Sequence, residues 1–297
     1  MRDAAFSSEA GPQVRPLTAV VGAEILGVDL ADVGDDAFAF IREAFDRYAG
    51  LLFRGQDLSP EQLVAFSRRF GDLDHAPVME NGQTAVPGLP EVYLVSNIKG
   101  ADGKEIGSLG AGEAVWHTDM SYLSAPPDIS MLHAIEVPPA GGDTWLCGMN
   151  AAYNALPDAL KRRIAGLRIK HDGTYNSGGY VRQGVTPTDD PRESPGTYHP
   201  VVIAHPNTGQ PLLYLGRRRM AHIEGLDLAE SEALLDELWS YATREENAYR
   251  HRWQVGDVLM WDNRATMHRR DPFDAASRRL MRRTQVKGAM QPAAYVS

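Results

Sequence analysis

The sequence predicts a mainly β protein with helical insertions, arranged as an antiparallel sandwich, and three observations carry that expectation. Short strand-like runs at 128–137, 198–204, 211–215, 249–262 and 278–287 are punctuated by Gly, Pro, Asn and Asp. These runs do not alternate regularly with helical stretches, which disfavours a parallel doubly wound sheet, whose strands need helical crossovers. The 297 residues, 43% of them hydrophobic, hold enough apolar material for one elaborated β domain, and the length alone also admits two.

In chain order, residues 1–13 are small and polar without periodicity and are expected to form a flexible N-terminus. From Val14 the chain turns strand-like, interrupted by Gly22 and Gly27 where bulges or tight turns are needed. Residues 35–49 place Phe38, Ile41 and Phe45 on one helical face, and Gly50 releases the chain into an apolar strand at Leu51, Leu52 and Phe53. A second helix is signed by Ser59 at the N-cap, Pro60 at N1, Gln62 completing a capping box and Gly71 as the stop. Further helices are expected at 158–165 and 228–243, the latter with Leu234, Leu235, Leu238, Trp239 and Ala242 at helical spacing. The Gly-, Ser-, Thr-, Pro- and Asp-rich stretch 171–198 is too long for an ordinary connection and reads as an inserted lid or binding loop.

Charge and cysteine content remove several function classes. With 30 Lys plus Arg against 39 Asp plus Glu, the net charge is −9, and no basic face of the size a phosphate backbone or an anionic membrane requires is expected. An anionic ligand must therefore be held by a local cluster. The single cysteine, Cys147, excludes an internal disulfide and every zinc site built on cysteine pairs. Without a signal-like apolar core or a run of about 20 apolar residues, the chain reads as soluble and cytoplasmic.

The sharpest local signal is Trp116-His117-Thr118-Asp119. In an extended stretch residues 117 and 119 project from one face, so an imidazole and a carboxylate converge. Taken alone this spacing is common, and a surface histidine beside a capping aspartate is its ordinary meaning. A second histidine, His268, stands far downstream in the strand-like stretch from Met260. Two histidines and one carboxylate form the facial set that holds non-haem Fe(II) and leaves positions open for a co-substrate and O2, and the same set also binds zinc. Arg279 and Arg283 discriminate between these, because on one face of a strand they present two guanidiniums for bidentate contact with carboxylate or sulfonate. The turn signal Asp271-Pro272-Phe273-Asp274 suggests that the His268 strand folds back beside the Arg279 strand.

These stretches, with Pro138-Pro139-Ala140-Gly141-Gly142-Asp143-Thr144, His199-Pro200-Val201-Val202, His205-Pro206 and Trp261-Asp262-Asn263-Arg264, make the chain resemble the taurine dioxygenase and 2,4-dichlorophenoxyacetate dioxygenase family from about residue 14 to 288. The resemblance implies a double-stranded β-helix, a cupin-like jelly roll, with flanking helices and a lid loop around 171–198, forming a single dioxygenase domain over 14–290. It implies Fe(II) on His117, Asp119 and His268, with 2-oxoglutarate as co-substrate and O2 as oxidant. Thr144 and Arg279 match the positions that meet the far carboxylate of 2-oxoglutarate. Arg283 matches the position that grips the anionic group of the primary substrate, and His75 lies near, displaced by one residue, to a substrate-contacting histidine. The loop from Tyr175 to Tyr180 is read as the mobile lid, with Tyr175 as a substrate contact.

The implied reaction is hydroxylation of a small anionic organic molecule, with bond cleavage where the hydroxylated carbon bears a leaving group, and with release of succinate and CO2. No nucleic-acid or membrane partner is expected, and the family often forms homo-oligomers, dimers or tetramers. The taurine enzyme carries Asn where this chain has Glu113, and a pocket aromatic is replaced within Arg217-Arg218-Arg219, so the substrate pocket is expected to differ from that of a taurine enzyme. A zinc hydrolase using the same triad is one alternative reading, which gives Arg279 and Thr144 no role, and a non-catalytic jelly-roll binding protein is another, against which the intact triad with its paired arginine weighs.

Overall fold

The computed structural model describes residues 11–76, 84–101, 103–110, 112 and 114–296. Its largest sheet has eight strands, in spatial order Gln13–Pro16, Ala23–Leu26, Gly50–Phe53, Val258–Asp262, Ile129–Glu136, Leu280–Val286, Tyr93–Ser96 and Ser108–Leu109. A four-stranded sheet, ordered Ala248–His251, Thr144–Gly148, Thr266–Arg270 and Ala114–His117, packs against it. From Ile129 onward the chain crosses repeatedly between the two sheets, and this alternation makes the sandwich a double-stranded β-helix.

Period-two alternation decides what each face of the large sheet does. Leu52, Leu132, Ala134, Leu259, Trp261 and Met281 point inward and pack with Val95 and Leu146 between the sheets. Leu51, Phe53, Ile129, Met131, Val258, Met260 and Val286 point outward and are covered by the helices Asp35–Tyr48 and Pro60–Arg68. The expected faces of these helices are the buried ones, with Ile41, Phe45, Leu63 and Phe66 in the core and Phe38 and Phe70 packed against it. The Ser59 hydroxyl accepts from the Gln62 amide while the Gln62 side chain accepts from the Ser59 amide, as the capping box requires. The small sheet's outer face, through Cys147 and Met267, packs under the helix Leu228–Ala242 together with Met149–Asn154 and Asp158–Ile164.

Three local expectations are corrected. The strand expected over 249–262 is two strands in different sheets, Ala248–His251 and Val258–Asp262, because Gly256 at φ 83° turns the chain between them. The His268 strand does not fold back beside the strand after Arg279. Asp271–Asp274 carries the chain across the sandwich, so Thr266–Arg270 pairs with Thr144–Gly148 and Ala114–His117, while Leu280–Val286 pairs in the opposite sheet. The inserted loop is also shorter than 171–198. Arg168–Asp172 and Gly196–Pro200 form an antiparallel ladder that clamps its base, a pairing hidden in the sequence because its partners lie more than twenty residues apart. The structure describes the chain as strand from Gln13, and residues 1–10 of the expected flexible terminus lie outside the described residues.

Candidate active site

The strand Ala114–His117 ends at His117, and Thr118 and Asp119 leave the ladder before Met120 adopts φ 46°. The imidazole and carboxylate still converge, with His117 Nε2 3.5 Å from Asp119 Oδ1. His268 stands directly opposite His117 in the ladder, so their rings lie 4.1 Å apart, and His268 Nε2 is 3.8 Å from the same carboxylate oxygen. The three potential ligand atoms lie within 4.8 Å of one another and all three residues are buried.

Each donor is prepared for a cation. His117 Nδ1 is 2.7 Å from the Val115 carbonyl, which assigns its proton to Nδ1 and leaves the Nε2 lone pair free. Asp119 Oδ2 accepts from Ser130 Oγ at 2.7 Å and from Gln285 Nε2 at 3.1 Å, so Oδ1 is the oxygen left for a metal. Ser130 is held in turn by Asn263, whose carbonyl accepts from Trp261 Nε1. Burial alone would raise the Asp119 carboxyl, but His268, His117 and Arg283 outweigh it and keep it well below the usual carboxylate range. Burial, reinforced by His117, pulls His268 down to about 3, which keeps it neutral as a metal ligand must be.

The triad separates two cavities. On one side lies an inner pocket of about 50 Å³ whose lining includes Thr144, Arg279, Leu132, Val95 and Trp261. Thr144 is inward on the small sheet, opposite Arg270, and its hydroxyl accepts from Trp253 Nε1 at 3.0 Å. Arg279 immediately precedes Leu280–Val286 and is 1% exposed, fixed by its backbone, which bonds to Asn97 Oδ1 and Ser96 Oγ. Its Nε and Nη1 are buried and without a partner among the described residues, and burial, with Arg270 near, pulls the guanidinium down to about 9. A buried cation with two idle donors is an incomplete site, and the chemistry that completes it is a carboxylate.

On the other side lies an outer cavity of about 700 Å³, whose wall includes His75, Tyr93, Met120, Tyr122, Asn176, Ser177, Arg182, Arg217, Arg283 and Gln285. Arg283 spans the two cavities, 3.8 Å from Asp119 and over the Tyr93 ring at 4.7 Å. Its neighbours Arg278 and Arg282 point elsewhere, to Glu136 and to the Leu58 carbonyl, as strand alternation demands. His75 is exposed on the rim. Tyr175 does not line the cavity. The Arg219 guanidinium lies 3.4 Å above its ring, and the wall at that point is made by Asn176, Ser177, Gly178 and Tyr180. Of the arginine run, only Arg217 reaches the outer cavity, since Arg218 is paired with Glu232 and Asp236. Glu113 lies outside the described residues.

Ser130, Gln285, Trp253 and Arg182 are site residues that sequence reasoning missed. Two carried a readable signal: Ser130 is a polar residue between the apolar Ile129 and Met131 of a strand-like run, and Gln285 shares the inward parity of Arg283. Arg182 and Trp253 carried none, because they reach the site from a loop and a turn.

A buried two-histidine, one-carboxylate cluster between the sheets of a jelly roll, with an incomplete arginine site beside it, is the architecture of the non-haem iron oxygenases that use a 2-oxo acid. The family profile described as taurine catabolism dioxygenase TauD, TfdA family matches residues 13–285. The α-ketoglutarate-dependent 2,4-dichlorophenoxyacetate dioxygenase of Cupriavidus pinatubonensis is 37% identical over 278 residues, 90% of this chain and 95% of that protein. A taurine dioxygenase structure from Burkholderia xenovorans superposes with a TM-score of 0.76 at 36% identity, covering 94% of this chain and 92% of that one. The structure of AAD-2 in complex with Mn(II) and N-oxalylglycine gives 0.75 at 30% identity, covering 96% and 100%. The chain belongs to the TauD/TfdA family and is a 2-oxoglutarate-dependent dioxygenase, an oxidoreductase that uses Fe(II), 2-oxoglutarate and O2.

Proposed function

We propose that this dioxygenase hydroxylates a small anionic organic molecule in the outer cavity, with iron held by His117, Asp119 and His268 and the far carboxylate of 2-oxoglutarate held by Arg279 and Thr144 in the inner pocket. The observation that carries this assignment is the pair of idle donors on buried Arg279, which a metal hydrolase would leave unsatisfied. Bound iron and its co-substrates supply the oxidising power for C–H hydroxylation, releasing succinate and CO2.

The residues of this chain do the rest. The donor set fixes the metal on the small sheet, Ser130 and Gln285 hold the carboxylate to one ligand oxygen, and Arg279 draws the co-substrate toward the large sheet. Arg283, half-buried beside the triad with a buried Nε lacking a partner, takes the anionic group of the primary substrate. His75 contacts that substrate from the rim, and Tyr175 acts on it indirectly by bracing the loop whose neighbouring residues form the wall. Aryloxyacetate and taurine, named for the relatives, each carry an anionic group, a carboxylate and a sulfonate, and support a substrate with such a group. Residues 14–290 act as one catalytic domain, working in the cytoplasm as a homo-oligomer without nucleic-acid or membrane partners. The acidic net charge supports the lack of a nucleic-acid or anionic-membrane partner.

An anaerobic titration of the metal-free protein with Fe(II) and then 2-oxoglutarate tests the reading. A weak visible charge-transfer band is expected, and Arg279→Ala should need at least about tenfold more 2-oxoglutarate to develop it, the consequence of losing a charge-assisted pair. Failure of the wild type to give the band would overturn the assignment of His117, Asp119 and His268 to iron and of Arg279 and Thr144 to 2-oxoglutarate.

A further inference from the structure

The outer cavity holds more positive charge than one anionic group requires. Arg217 is 7% exposed and no carboxylate lies within salt-bridge distance of it among the described residues. It donates to the Tyr175 carbonyl, and its Nε is buried without a partner. Arg182 lies over the Tyr122 ring at 4.4 Å, and its Nε is likewise buried and unpartnered. Burial, with Arg182 near it, pulls Arg217 down to about 10 despite the opposing pull of the buried Asp172 and Asp119 carboxylates, and both guanidiniums line the same cavity. Arg217 and Arg283 line the same cavity as His117 and Asp119 of the triad.

Among the described residues, the acids lining the same cavity do not balance this charge. Glu91 is paired with Arg68 at 2.5 Å, Asp74 faces Lys287 and His75, Glu105 is exposed, and Asp119 belongs to the triad. Holding the buried Arg217 guanidinium beside the half-buried Arg182, each with an idle Nε donor, costs stability, and an oxyanion placed between them removes that cost.

We propose that Arg217 and Arg182 form a second oxyanion subsite, so that the substrate carries two anionic groups, carboxylate, sulfonate, sulfate ester or phosphonate. One group lies at Arg283 and the other at Arg217 and Arg182, with the hydroxylated carbon between them. This rests on the dioxygenase reading above and narrows its substrate class from anionic to dianionic.

The test is calorimetric. The anaerobic protein loaded with Fe(II) and 2-oxoglutarate is titrated with alkane α,ω-disulfonates of two to six carbons and with the monosulfonates of the same length. At the matching length the disulfonate is expected to bind at least about tenfold tighter, as a second charge-assisted contact implies. In Arg217→Gln and, separately, Arg182→Gln, that ratio should fall to near one. The second variant guards against loosening of the loop that Arg217 braces through the Tyr175 carbonyl. A ratio near one in the wild type at every length, or a ratio that survives both substitutions, overturns the subsite. The charge-transfer band followed in parallel keeps the two readings apart. A band without disulfonate preference defeats the subsite alone. No band with a preserved preference in the metal-free protein defeats the proposed placement of iron and 2-oxoglutarate alone.

Discussion

Asp119 shows how much of this site is decided by single atoms. Its two oxygens have different tasks, because Ser130 and Gln285 occupy Oδ2 while Oδ1 faces both imidazoles. Ser130→Ala should release the carboxylate to rotate and weaken Fe(II) or Co(II) binding by roughly 10- to 100-fold, the usual effect of losing a partner that orients a ligand. Isothermal titration with Co(II) measures this, and unchanged affinity would show that Gln285 alone suffices. The buried imidazoles also set an acid limit. In the fold His268 is held down at about 3 and His171 well below its ordinary value, both chiefly by burial, whereas in the unfolded chain each takes a proton near 6.5. Between those values the unfolded chain binds more protons, so stability is full above about pH 6.5 and is lost as pH falls below it, by about 1.4 kcal/mol per group per pH unit. The metal-free protein should therefore unfold at lower temperature at pH 5.5 than at pH 7.5. A flat profile over that range would mean that these imidazoles remain accessible to protons in the native state.

At the scale of elements, the ladder Arg168–Asp172 with Gly196–Pro200 is what gives the inserted loop a fixed base, and two glycines let it form. Gly216 has φ 66°, and a Cβ there would lie 2.0 Å from His171 Nδ1, while at Gly196, φ 144°, it would lie 1.9 Å from the His171 carbonyl oxygen. Gly216→Ala combines positive-φ strain with overpacking against a buried ring and should destabilise the protein by about 2–4 kcal/mol in urea unfolding. Because Gly216 is followed by Arg217 and its carbonyl accepts from the Thr118 amide, the same substitution should also disturb the metal-binding turn. A helix cap offers a contrast in size. Ser59→Ala should cost about 1 kcal/mol and leave metal affinity unaltered, since the Pro60–Arg68 helix covers the sheet face away from the triad. A large effect of Ser59→Ala on Co(II) binding would show that the outer helices and the site are coupled.

For the whole molecule, the two sheets contribute different halves of the site. His117, His268 and Thr144 come from the small sheet, while Arg283 and Gln285 come from the large one and Arg279 from its threshold. In the proposed arrangement a co-substrate reaching from the metal to Arg279 ties the sheets together and binds only the folded chain. Co(II) with 2-oxoglutarate at 100 times its dissociation constant should add about 2.7 kcal/mol to stability. The expected readout is a rise in Tm of several degrees beyond that given by Co(II) alone, and much reduced in Arg279→Ala. An equal rise with Co(II) alone would mean that the co-substrate does not bridge the sheets.

The sequence by itself determined the local chemistry: which helices form and which faces they bury, because cap and apolar spacing act within a few residues, as at Ser59 and Gln62. It also determined the site's donor types through His117, Asp119, His268, Arg279 and Arg283, since ligand chemistry resides in side-chain identity. The tertiary structure decided what depends on distant pairing. It split 249–262 between two sheets, carried the Arg279 strand across the sandwich from His268, and clamped residues 168–172 to 196–200. It also chose Arg217 from its run for the cavity and turned Tyr175 away under Arg219. The reason is physical: loop closure and strand partnership are set by burial of the whole core, and no window of neighbouring residues contains that term.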